Sequence, residues 1–122
     1  MSESAIQTAI VRTLRIALPH GFLVTSTANK PRSMVQGAIE KAMGATAGFP
    51  DISLYGALVT DEASTPFAGF MEVKTKAGRL SEAQRAVHDR LRDCGFNVAV
   101  VRSTDEALKA ARSWGLPLRI TA

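Results

Sequence analysis

Asp51, Glu72 and Lys74 are the residues whose types and spacing could do chemistry. Asp51 follows Pro50 where the chain enters a run, Asp51 to about Val59, that reads as a strand. A second run, Phe67 to Thr75, carries Glu72 and Lys74 two residues apart, hence on one face of an extended chain. If the two strands pair, Asp51 and Glu72 converge on one point. Two carboxylates held together in a low dielectric repel by several kcal/mol unless a cation sits between them. Mg²⁺ takes one or two carboxylates plus waters and leaves positions for a phosphate oxygen. Lys74, roughly 7 Å along the strand from Glu72, would lie beside the ion, placed to hold or deprotonate a water or to steady transition-state charge. The set outlines a metal-assisted phosphodiester hydrolysis site. The same residues also fit a plainer arrangement, a surface ion pair between Glu72 and Lys74 with Asp51 capping a turn after proline.

Two further residues extend the set. Glu3 falls within the apolar stripe of Ile6, Ile10 and Leu14, so it faces inward as a candidate third ligand or a group behind the ligands. An acid at a helix N-terminus also suits the helix dipole. Ser81-Glu82-Ala83-Gln84 fits a capping box, which would employ Gln84 fully; the other reading puts Gln84 near the metal, bonded to the water or a phosphate. His88, one turn further on, is expected as a surface or phosphate-contact residue. Cys94, before Gly95, is expected as a small packed residue.

The elements that must position these groups are short and regular. Residues 3–18 read as a helix with Ile6, Ile10, Leu14 and Ala17 at helical spacing, stopped by Pro19-His20-Gly21. Gly21 to Thr27 is β-rich, and Ala28 to Arg32 is a polar turn. A second helix, Ser33 to Met43, sets Val35, Ile39 and Met43 on one stripe, with Gly44 past its end. Gly48-Phe49-Pro50 breaks structure before the Asp51 strand. A long polar loop, Thr60 to Pro66, joins the two strands as an antiparallel hairpin. A turn at 76–79 leads to a helix from Ser81 to Cys94. Phe96 to Val101 reads as a strand covered on both faces, reached by a right-handed crossover and so parallel to the Glu72 strand. Ser103 and Glu106 open a last helix that ends near Trp114-Gly115. The sum is an α/β fold, a mixed sheet flanked by helices.

Composition narrows the chemistry. The 122 residues, 46% apolar and 21% charged, suit one domain over 1–122. One cysteine and two histidines argue against a thiolate or imidazole metal site and for a hard, oxygen-ligated ion. Fifteen Lys/Arg against eleven Asp/Glu, a net charge of +4, suit a polyanionic partner. Six of the cations lie between Lys74 and Arg92. No apolar run spans a membrane and no signal segment opens the chain, so a cytoplasmic setting is expected.

The motifs then become specific. Gly48-Phe49-Pro50-Asp51, Met71-Glu72-Val73-Lys74-Thr75-Lys76, Gly78-Arg79-Leu80-Ser81-Glu82-Ala83-Gln84 and Gly95 to Ser103 occur in that order. With Glu3, Ile6-Gln7, Asn29, Arg32 and Lys41 to Gly44, the pattern resembles the VRR-NUC family of PD-(D/E)XK nucleases over nearly the whole chain. The resemblance implies a PD-(D/E)XK nuclease-like fold and a Mg²⁺- or Mn²⁺-dependent DNA endonuclease. Asp51 and Glu72 would take the metal-ligand places with the Val73 backbone carbonyl. Lys74 would be the catalytic lysine, Glu3 the helix-borne acid and Gln84 the glutamine after the turn. Stand-alone members resemble Holliday junction resolvases, which implies a homodimer acting on branched DNA. Lys76, Arg79, Arg85, Asn29 and Arg32 are the candidates for gripping its backbone. Phe49 is bulkier than the aliphatic residue expected there, and the 28–32 turn lacks a glycine after Asn29. Two other readings remain open: a DNA-binding module on this fold without catalysis, and an endonuclease of linear duplex.

Overall fold

A computed structural model describes residues 1–27 and 33–119. Its elements are α1 (Glu3–Ala17), β1 (Leu23–Ser26), α2 (Met34–Ala42), β2 (Ile52–Val59), β3 (Ser64–Val73), α3 (Glu82–Asp93), β4 (Asn97–Val101) and α4 (Thr104–Ser113). The strands form one sheet in the order β1-β2-β3-β4. The first two pairings are antiparallel and the β3–β4 pairing is parallel. The expected mixed α/β sheet with flanking helices is therefore what the chain forms.

The core lies on one face of this sheet. Ser2 caps α1 by accepting from the Ala5 N–H, and Ile6, Ile10, Leu14 and Ala17 form the buried stripe of that helix. Ile6, Ile10 and Leu14 join one core cluster with Val24, Ile52, Leu54, Met71, Val73 and Val101 from the sheet and Ala107 and Ala111 from α4. Successive strand residues point to opposite faces. Val73 therefore enters this core, while Glu72 points to the other side and meets α3. The two-faced end of β3 is what presents a carboxylate to a helix while the strand stays anchored.

The structure departs from the expectations, or adds to them, in four places. The loop after β2 is tight, with the Thr60 N–H donating to Ala63 O at 2.8 Å, and β3 starts at Ser64. Pro66 lies inside β3 opposite Ala57, before the β4 pairing begins at Gly69, so β3 has one strand neighbour there and tolerates the proline. In α2 no residue is buried; Val35, Ile39 and Met43 are 71%, 55% and 83% exposed. Helical spacing aligns side chains, but it does not supply an element to cover them. β4 buries Val98 and Val101 and leaves Asn97, Ala99 and Val100 half-buried, so it is covered only in part. Cys94 is exposed rather than packed, because it caps the exposed end of α3. Among the described residues no helix is long and apolar enough to cross a membrane.

Candidate active site

Hairpin register brings the acids together. The β2–β3 ladder ends at Ile52↔Met71, and carried one step on it sets Asp51 opposite Glu72. Asp51 Oδ2 accepts from the Val73 N–H at 2.8 Å. An extended residue turns its N–H and C=O to the same side, so the Val73 carbonyl faces the Asp51 side as well. The segment before Asp51 is held on several sides. The Thr27 N–H donates to Asp51 O at 2.9 Å, and the Thr27 hydroxyl donates to Pro50 O. Phe49 stands edge-on to Phe70 with centroids 5.6 Å apart, so its bulk is used to seat the turn on β3. Gly48 has φ +85°, and a Cβ there would lie 2.5 Å from the Ala83 backbone. That turn is thus pressed against the first turn of α3, which only glycine permits.

Glu72 and Lys74 are 1% and 7% exposed, which excludes the surface ion pair. Burial, first, and then the hydrogen bond and negative charge of Asp51 push the Glu72 carboxyl up to about 9; Lys74 opposes this and Glu3 adds to it. The inward placement of Glu3 is therefore felt at Glu72. At neutral pH and without a cation, Glu72 therefore holds a proton.

Gln84 performs both of its alternatives at once. Its Oε1 accepts from the Ser81 N–H at 3.0 Å as part of a complete capping box. Its Nε2 donates to Glu72 Oε2 at 3.3 Å. Sequence reasoning misplaced His88, which is fully buried with Nε2 3.4 Å from Glu72 Oε1. The signal was present in its spacing, four residues from Gln84 on the same helix face. Burial lowers the His88 pKa, with Arg92 adding and Asp89 and Asp51 opposing.

Arg102 was also missed. Its guanidinium donates to Thr75 O at 2.6 Å and Gly78 O at 2.7 Å, holding the turn that follows Lys74. Lys76 and Arg79 on that turn, and Arg85 on α3, are exposed. Asn29 and Arg32 lie outside the described residues.

The donor set suits a hard divalent ion. Two adjacent carboxyl groups, a backbone carbonyl on their side and no thiolate beside them among the described residues suit Mg²⁺ or Mn²⁺. Among the described residues no group of three or more His, Cys, Asp or Glu side chains is placed to hold a metal. The carbonyl and waters would have to complete the coordination, as is usual for Mg²⁺.

The family described as the VRR-NUC domain matches residues 2–105 of the chain. A solved structure described as a VRR_NUC domain protein superposes with a TM-score of 0.70 at 18% identity, over 93% of this chain and 88% of that one. Another, described as a VRR_NUC domain, gives a TM-score of 0.55 at 24% identity, over 92% and 96%. No curated protein matches the sequence.

Proposed function

The chain belongs to the VRR-NUC domain family, a nuclease-type domain, and from that premise we propose that it is a metal-dependent endonuclease of branched DNA such as Holliday junctions. The observation that carries this reading is the pair of facing acids, Asp51 just before β2 and Glu72 near the end of β3, with the buried Lys74 directly after that strand. Asp51, Glu72 and the Val73 carbonyl would hold Mg²⁺ or Mn²⁺, with Glu3 behind them or as a further ligand. The bound ion supplies Lewis-acid polarisation of the scissile phosphate and eases deprotonation of water.

The protein's own groups do the rest. Lys74 brings its ammonium to the site, where Nζ holds the attacking water or meets the charge that builds on phosphate oxygens. Gln84 fixes the orientation of Glu72 through its amide. Lys76, Arg79 and Arg85 grip phosphates at the rim without reading bases. A homodimer would place two such sites across a symmetric junction. Cleavage of four-way junctions, flaps and linear duplex, with and without Mg²⁺, tests the reading. Metal-dependent cutting favouring the branched substrates is expected. Tight junction binding without cutting in Mg²⁺ or Mn²⁺ would oppose it.

A further inference from the structure

His88 has no part in that chemistry, yet it is the one buried residue of the twelve in α3. Leucine would fill such a position without a polar cost. Nδ1 of His88 is buried with no hydrogen-bond partner among the described residues, a penalty that packing alone does not justify. What the imidazole does have is Glu72, with Nε2 at 3.4 Å from Oε1. One turn earlier on the same face, Gln84 Nε2 reaches the other oxygen at 3.3 Å. Residues four apart on a helix lie side by side, so α3 presents one nitrogen to each oxygen of a single carboxylate.

The proton can be placed from chemistry. A carboxylate ionised beside a bound cation only accepts, so in that state Nε2 would donate and Nδ1 would keep its lone pair. A second proton would put an N–H with no acceptor into the interior. The buried Nδ1 without an acceptor therefore favours the neutral imidazole. A lysine or arginine here would cancel the charge of Glu72; a neutral donor orients it and leaves the charge for a cation. The geometry points to His88 as the positioning residue of Glu72, a neutral imidazole that with Gln84 clamps the carboxylate in one orientation without cancelling its charge. The assignment rests on the reading of Glu72 as a metal ligand.

Three variants test it. His88→Gln keeps a neutral N–H near the place of Nε2, His88→Asn has an amide that stops short of Glu72, and His88→Leu has no donor. The readouts are Mn²⁺ affinity of the DNA-free protein, from the EPR signal of free Mn²⁺, and the melting temperature. His88→Leu is expected to melt at or above the wild-type temperature while binding Mn²⁺ about 10–100-fold more weakly. His88→Gln should stay within a few-fold of wild type, and His88→Asn should follow the leucine variant. Should His88→Leu fail to fold, the Gln and Asn pair decides. Wild-type affinity in the leucine or asparagine variant, or equal losses in Gln and Asn, overturns the assignment. A wild-type protein that binds no Mn²⁺ overturns the metal-site reading itself, and the assignment with it.

Discussion

Gln84 ties the first turn of α3 to Glu72. One end of its amide closes the capping box at Ser81 and the other donates to Glu72 Oε2 at 3.3 Å. A residue that only capped the helix would not be turned toward a buried acid, and one that only served the acid would leave the Ser81 N–H open. Substitution separates the two roles. Gln84→Glu keeps the capping box but replaces the donor with a third carboxylate. Its melting temperature should stay close to wild type while cleavage falls about 10–100-fold. Gln84→Ala loses both, adding about 1 kcal/mol of destabilisation. Wild-type cleavage by Gln84→Glu would show that the tie to Glu72 has no catalytic consequence.

The metal-free protein should lose stability as pH rises through neutrality. Glu72 has its carboxyl pushed up to about 9 from 4.5, so between those values the native state holds a proton that the unfolded chain has released. Stability then falls with increasing pH across that window. His88, its pKa lowered by burial, adds a slope of opposite sign below its ordinary value, because the unfolded chain then takes up a proton that the native state refuses. The Glu72 effect is thus unopposed from pH 7 to 9. Thermal melts in EDTA over that range should decline for wild type and stay level for Glu72→Gln. At pH 8 that variant should melt roughly 3–8 °C higher. Parallel pH profiles would contradict the placement of Glu72.

Gly48 and Gly44 both have positive φ, +85° and +106°, but among the described residues only Gly48 of the two has a neighbour where a Cβ would go. Gly44→Ala should cost about 1 kcal/mol from backbone strain. Gly48→Ala adds a clash with the Ala83 backbone, so about 2–5 kcal/mol is expected. It should also slow cleavage, because the same turn carries Asp51. Chemical denaturation of both variants checks the contrast, and equal losses would show that the contact with α3 is not constraining.

The part of the site legible in the sequence was the part fixed by strand alternation and hairpin pairing. Asp51 before one strand and Glu72 with Lys74 on the next can be brought together from spacing alone, and the capping box at Ser81 is written in residue types. Spacing sets His88 on the face of Gln84, but that this face is buried was not legible, because α3 is polar over most of its surface. The partner of His88 is twelve to sixteen residues upstream, on another element, as it is for Gln84. Arg102 acts on backbone carbonyls, which carry no sequence mark. The α2 stripe was legible as a stripe, but its exposure was not, since periodicity says nothing of what packs against it. Thr60 to Pro66 read as loop from composition, while the ladder continued through Ser64, Thr65 and Pro66.

The central claim is that Glu72 and Lys74 are buried for catalysis. The most direct measurement is the rate of Mg²⁺-initiated cleavage of a labelled four-way junction by wild type, Glu72→Gln and Lys74→Ala, each shown to be folded and to bind the DNA. Wild type should cut, and both variants should be at least about 100-fold slower with binding retained. Cleavage at the wild-type rate by either variant would contradict the account.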